Sequence, residues 1–238
     1  MTEKEKKEKI NNQNINEAEE KNKDIYSKLE EIIDKNRKSI TYIALGVIGL
    51  ILGYFIYRNS YLKPLENEAQ NEMYMAEIYF ANDSFKLALY GDGQYSGFLK
   101  IIEDYGSTKA GNLAYYYAGI CFLNLNNFEE AISYLKKFKT NDVMLYSTCN
   151  GAIGDAYLEL GQYEKAINYY KKAAYKYPNQ LTSPFYLMKL SFAYEKLGEW
   201  ENALETYEYI KKNYSKTSEG RKVDKYISRA KFMINQKK

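Results

Sequence analysis

The sequence predicts an all-α protein in which a single N-terminal transmembrane helix is followed by a solenoid of helical repeats. Two patterns carry this prediction: an uncharged apolar run over residues 39–57, and a motif that recurs about every 35 residues between residues 112 and 216. Proline and glycine are sparse, with 3 and 14 in 238 residues. That scarcity favours long helices over a turn-rich β fold.

The run from Ser39 to Tyr57 reads SITYIALGVIGLILGYFIY and holds no charged residue. A helix of about 19 residues at ~1.5 Å per residue covers most of a ~30 Å hydrocarbon core. Tyr42 and Tyr54 lie near its ends, where amphipathic rings prefer the headgroup layer. A cleaved signal peptide is the alternative. It fits less well because the run is long and no small-x-small cleavage site follows it. We therefore expect an uncleaved signal anchor.

Basic residues flank this predicted span unequally. Those on its N-terminal side, within about twenty residues, are Lys21, Lys23, Lys28, Lys35, Arg37 and Lys38. Those within the same distance on the other side are Arg58 and Lys63. The positive-inside rule then places the N-terminus in the cytoplasm and residues 58–238 across the membrane. In a bacterium, this is a single-pass inner-membrane protein with its repeat domain in the periplasm.

Three glycines of the predicted span, Gly46, Gly49 and Gly53, share one helix face and form a candidate helix-packing surface. Such a face would bring a second copy or a different membrane helix close; the alternative is that glycine is simply frequent in membrane helices. Before the span, residues 1–38 form a predicted cytoplasmic tail. We expect its first part to be disordered, because it is almost wholly polar, and its last part to be a short amphipathic helix.

Three segments of residues 112–216 repeat one arrangement of small and large side chains. Each holds a small residue, an aromatic residue three positions later, a second aromatic residue and then an alanine. These positions are Gly119, Phe122, Phe128 and Ala131; Gly154, Tyr157, Tyr163 and Ala166; and Ser191, Tyr194, Trp200 and Ala203. Paired helices interlock in this way because a small residue admits a ring from the facing helix. The positions resemble the tetratricopeptide repeat (TPR) signature, which implies a stack of helix pairs with a concave face.

The regions on either side of the three repeats continue the helical pattern. The same spacing appears in a decayed form at Ala76, Tyr79, Phe85 and Ala88. We therefore expect residues 58–111 to hold a linker helix and a degenerate TPR-like unit. Residues 217–238 are expected to form a capping helix, since repeat arrays need a polar outer face at their ends.

The TPR resemblance also implies a binding groove, because the first helix of each TPR pair lines the concave face. Carried over by motif position, that face comprises Tyr116, Ile120, Leu123, Asp155, Leu158, Glu159, Phe185, Met188, Phe192 and Glu195. The set is mostly apolar and lacks the Lys, Asn and Arg ring with which some TPR domains hold a C-terminal carboxylate. It predicts a groove for an extended or helical apolar peptide. The alternative is that these side chains pack on neighbouring helices or lie under the chain's own N-terminal helix.

Several kinds of chemistry find no support in the sequence. Histidine is absent, which removes the commonest general acid/base and zinc ligand. Cys121 and Cys149 are too few for a zinc site; we expect buried free thiols, with a disulfide as the alternative. There is no Gly-rich phosphate loop or nucleophile elbow, and the net charge of +3 forms no basic stripe. We expect a protein that is not an enzyme, with no cofactor, no metal and no nucleic-acid partner.

The layout of tail, signal anchor and periplasmic TPR domain resembles the ancillary SecYEG translocon subunit of the YfgM type. The segment GDGQYSGFLKIIEDYGSTKAGNLAYYYAG is similar to the version carried by Bacteroidota. The resemblance implies an accessory subunit of the Sec translocon that links protein export to periplasmic chaperones. Its partners would be the translocon, a chaperone or exported clients. The alternative is an envelope adaptor that scaffolds cell-wall, division or outer-membrane assembly machinery.

Overall fold

A computed structural model describes residues 35–236, which are helical and contain no β-strand. The chain divides after Tyr61 into two compact units, each described by itself. The first holds α1 (Arg37–Tyr57), and a π-helical segment, Arg58–Leu62, follows. The helices of the second are α2 (Lys63–Ala81), α3 (Phe85–Tyr90), α4 (Phe98–Tyr105), α5 (Lys109–Asn124), α6 (Phe128–Leu135), α7 (Val143–Glu159), α8 (Tyr163–Tyr175), α9 (Ser183–Lys196), α10 (Trp200–Asn213), α11 (Ser218–Lys222) and α12 (Asp224–Gln236).

The helix α1 is long and apolar enough to cross a membrane, with a mean hydropathy of 2.1 over an 18-residue window of which none is buried. Around Gly46, Gly49 and Gly53 the space is open, since an added Cβ would meet nothing within 4 Å. The predicted amphipathic helix that precedes the span lies outside the described residues.

Four helix pairs of the second unit turn in the same way. A residue with positive φ stands seven positions after each small residue of the motif: Asp83 (56°), Asn126 (63°), Gly161 (69°) and Gly198 (72°). At each turn the next amide donates to the carbonyl of the motif aromatic at 2.9 Å, as Gln162 does to Tyr157. The left-handed region is open to glycine and is tolerated by Asn and Asp, so the residue type at this position ends the first helix of each pair.

The decayed unit at α2 and α3 has the same turn but a different second helix. Gly91, at φ 79°, ends α3 after 6 residues. The carboxylate of Asp92 then accepts hydrogen bonds from the amides of Gln94 (2.9 Å) and Tyr95 (2.8 Å) and from the hydroxyl of Tyr79 (2.6 Å). This loop is therefore a side-chain-stabilised turn that leads into α4.

The C-terminal region also differs in detail from the single helix expected there. It is split at Val223 into the short α11 and the longer α12, and the Thr217 hydroxyl accepts from the Gly220 amide at 3.1 Å to cap α11. The side chains of Val223, Ile227 and Ala230 are buried, and α12 packs on α10.

The core lies between the helices of each pair and between successive pairs. The helix α5 packs on α6, α7 on α8 and α9 on α10, and α8 in turn packs on α9. Tyr170 and Tyr207 are fully buried, and a Cβ added to Gly154 would lie 2.7 Å from the ring of Tyr170. Glycine is required there because the ring occupies the space that any larger side chain would fill.

Both cysteines belong to this core. The thiols of Cys121 and Cys149 are buried and free, so no disulfide joins them. Burial raises the pKa of each to about 12, and the neutral thiol is therefore the stable form near neutral pH.

Two clusters of polar side chains join successive helix pairs. In the first, the Tyr170 hydroxyl donates to Asp155 Oδ1 at 2.6 Å, and Lys189 Nζ donates to both Asp155 oxygens at 2.7 Å. Asp155 lies on α7, Tyr170 on α8 and Lys189 on α9. We call this arrangement of tyrosine, acid and cation the inter-repeat clamp.

The second inter-repeat clamp uses different residue types for the same contacts. The Tyr207 hydroxyl donates to Glu195 Oε1 at 2.9 Å, and Arg229 donates to both oxygens of that carboxylate. Arg229 lies on α12, so α12 supplies the cation that the first helix of a further pair would supply. The clamp thus fixes α12 in the position of such a helix.

The substitution Gly154→Val is expected to lower the free energy of unfolding by about 1–3 kcal/mol, because the larger side chain would overlap the Tyr170 ring. The matched control is Asn168→Val on the exposed face of α8, which should change stability by less than about 0.5 kcal/mol. Thermal melts of the full chain in detergent measure both. Equal melting temperatures for the two variants would contradict the packing argument.

Lys189→Met is expected to destabilise the protein by about 1–3 kcal/mol, because it leaves a partly buried carboxylate without its cation. The control, Lys100→Met, removes ion pairs to Glu103 and Asp104 that are far more exposed. Its effect should stay below about 0.5 kcal/mol. The same melts compare the two, and a Lys100 variant as unstable as the Lys189 variant would argue against the clamp.

Candidate peptide-binding groove

The first helices of the three repeats line a surface cavity of about 670 Å³. Its lining residues are Leu123, Asn126, Phe128, Asp155, Leu158, Glu159, Tyr170, Phe185, Met188, Lys189, Phe192 and Glu219. Seven of the ten residues named from the motif are among them. They are Leu123, Asp155, Leu158, Glu159, Phe185, Met188 and Phe192.

The other three residues named from the motif are engaged by the chain itself. The Tyr116 ring lies 5.4 Å from that of Phe138, and its hydroxyl donates to Thr148 Oγ1 at 3.3 Å. Ile120 is half-buried against the core. Glu195 is held in the second inter-repeat clamp. These three side chains do not line the cavity.

The floor of the cavity is apolar and partly accessible. The Phe185 side chain is 44% exposed, the largest exposure among the apolar lining residues. Leu158 and Phe192 are half-buried, and Met188 is buried. Phe192 is held in place by Tyr226 of α12, whose ring centroid lies 5.4 Å away. The floor is therefore an apolar surface with one exposed ring, that of Phe185.

Some charged groups of the cavity form an ion pair with each other, and others do not. Asp155 and Lys189 neutralise each other in the first inter-repeat clamp. Burial, together with the Asp155 carboxylate, raises the pKa of the Tyr170 hydroxyl far above its usual value, so that group remains a hydrogen-bond donor. Glu159 is exposed and Glu219 half-buried, and neither forms an ion pair with another described residue.

The structure adds five lining residues that the motif did not indicate: Asn126, Phe128, Tyr170, Lys189 and Glu219. Phe128 occupies a repeat position that the sequence assigns to packing between helices, and Tyr170 is a buried core residue of α8. Asn126 forms the left-handed turn. Lys189 lies one turn from Phe185 and from Phe192 on α9. The helical period could therefore have indicated that it shares their face. Glu219 comes from α11, beyond the repeats, and no repeat position indicates it.

Within residues 35–236 no cluster of three or more Cys, Asp or Glu side chains has the geometry to hold a metal ion. The cavity offers an apolar floor, two unpaired carboxylates and a paired lysine. Its chemistry is suited to recognising a ligand.

Two family models, both described as tetratricopeptide repeat, match the chain. One matches residues 149–180, and the other matches residues 113–142 and 186–217. No curated protein matches the chain. The matched segments cover the three helix pairs whose first helices line the cavity.

Solved structures with TPR-like repeats are similar to this fold. The crystal structure of a Podosopora anserina putative kinesin light chain with nearly identical TPR-like repeats has a TM-score of 0.54 and 14% identity, covering 71% of this chain and 88% of that one. A second crystal structure, of a single-substitution variant of the same protein, has a TM-score of 0.55 and 15% identity, covering 71% and 87%. At such identity the likeness shows the fold alone.

The repeated motif, the shared left-handed turn and the family matches agree over residues 113–217. A stack of such helix pairs presents its first helices to a partner, and here those helices line an accessible cavity. The chain is a TPR-containing protein, and its repeats form a scaffold for protein–protein interaction.

Proposed function

We propose that this chain is a membrane-anchored periplasmic adaptor, an accessory subunit of the Sec translocon that links protein export to periplasmic chaperones. One observation carries the binding part of this proposal: the cavity along α5, α7 and α9 has an apolar floor with an accessible Phe185 ring. Chains that have just crossed a membrane are unfolded and expose apolar side chains. A groove of this kind suits such a segment.

The transmembrane anchor and the charged residues beside it support the proposed periplasmic location of the repeats. α1 is long and apolar enough to span a bilayer. The excess of lysine and arginine before it favours a cytoplasmic N-terminus and a periplasmic repeat domain. Tethering at the membrane raises the local concentration of the groove near the exit of a translocon, so that a weak, rapidly reversible contact is sufficient.

The proposed orientation predicts the accessibility of single introduced cysteines. In intact cells, a membrane-impermeant maleimide should label Asn235→Cys, because position 235 is exposed in the repeat unit. Thr2→Cys should be labelled only after lysis. Cys121 and Cys149 should contribute little background because both are buried. Labelling of position 2 and not position 235 in intact cells would reverse the orientation.

The proposed function also predicts which proteins a photocrosslinker in the groove captures. A photoreactive residue at Phe185 should capture translocon subunits, periplasmic chaperones or exported chains, because this ring is the accessible part of the cavity floor. The control is Phe232 on α12, which is 60% exposed and outside the cavity. Selective capture of cell-wall, division or outer-membrane assembly proteins at Phe185 would favour an envelope adaptor instead. Equal capture at both positions would argue against the groove.

A further inference from the structure

We infer that the groove selects a peptide segment in which apolar side chains stand beside a lysine or arginine. This inference rests on the proposed function, because it names the chemistry of the segment that the groove would bind. It follows from the charges that remain unpaired in the cavity and from a contact that the protein makes with its own C-terminal helix.

The cavity lining carries an excess of negative charge. Three of its residues are acidic, Asp155, Glu159 and Glu219, and one is basic, Lys189. Lys189 donates to both oxygens of Asp155 at 2.7 Å, so this pair contributes no net charge and is already used to join α7 to α9. The two glutamates are left to face whatever occupies the cavity.

The free-energy cost of removing water from these two glutamates determines which ligand binds well. A bound apolar segment would take water away from both carboxylates, which is unfavourable unless a cation or a hydrogen-bond donor replaces the water. A ligand carboxylate would be repelled by them. A lysine or arginine beside the apolar residues compensates the lost hydration and adds a charge-assisted contact.

The C-terminal helix already makes this kind of contact with the neighbouring part of α9. The Tyr226 ring lies 5.4 Å from that of Phe192 and 5.4 Å from that of Tyr207. Three residues later, Arg229 donates to Glu195 at 2.6 Å. An apolar ring followed by a cation one helical turn on therefore binds the same helix that supplies Phe185 and Met188 to the cavity.

The size of the cavity limits the ligand to a short segment. A volume of about 670 Å³ lies within the ~300–1,000 Å³ typical of pockets that take small molecules. A few side chains fill such a space, and a folded domain does not. The occupant is accordingly a short stretch of an unfolded or locally helical polypeptide with at least one basic residue.

The test uses the full chain in detergent or nanodiscs and two fluorescent peptides. Both peptides carry the same leucine and phenylalanine residues; one has a central arginine and the other a glutamine at that position. We expect the arginine peptide to bind about threefold to tenfold more tightly at low salt, as one or two partly screened charge contacts would give. Raising the salt concentration should reduce this ratio.

The variant Glu159→Gln/Glu219→Gln should bring the ratio close to one by weakening the arginine peptide, and it should not weaken the glutamine peptide, since neutral side chains cost less to cover. The control, Glu205→Gln, removes a charge from α10 outside the cavity and should keep the preference. Equal binding of both peptides to the original protein, or a Glu205 variant that loses the preference, would overturn the inference but leave the apolar groove intact. Failure of both peptides to bind would remove the inference and the binding part of the proposed function together.

Discussion

Close contact between a glycine on one helix and a large side chain on its partner sets the geometry of this protein. Gly154 faces the ring of Tyr170, and Gly119 faces Leu135 in the preceding pair. Beside this contact, α7 presents Asp155, Leu158 and Glu159 to the cavity, and Asp155 accepts a hydrogen bond from Tyr170 of the partner helix. The groove therefore adjoins the close contact between the two helices, since Tyr170 takes part in both.

The inter-repeat clamps extend this order from one helix pair to the next. A tyrosine that fills the core of its own pair also donates its hydroxyl to an acid on the first helix. That acid accepts from a cation of the next pair in the first clamp and of α12 in the second. Each clamp therefore couples packing within a pair to stacking between pairs. Because the acid is partly buried, the geometry of the clamp is more restrictive than that of a surface ion pair.

The parts of this structure that sequence predicts best are those that repeat. The all-α class and the three helix pairs follow from spacing, since the helical period fixes which residues share a side. Seven of the cavity-lining residues were named from the resemblance to the TPR motif. Asp83, Asn126, Gly161 and Gly198 also occupy one motif position, but their left-handed turns were not predicted. The side-chain contacts between successive helix pairs could not be predicted. The partner of Asp155 stands 34 positions further along the chain, and no local pattern links two such residues.

The C-terminal helix explains why the cavity ends where it does. α12 contributes an arginine and a tyrosine to the last repeat, so the surface that a further repeat would cover is already occupied by the chain itself. The preceding part of the inner face has no such cover among residues 35–236: Phe185 remains accessible, and Glu159 forms no ion pair there. The inner face thus has one region that α12 covers and one region that no helix covers within residues 35–236. We propose that a ligand binds this uncovered region, along α5, α7 and α9.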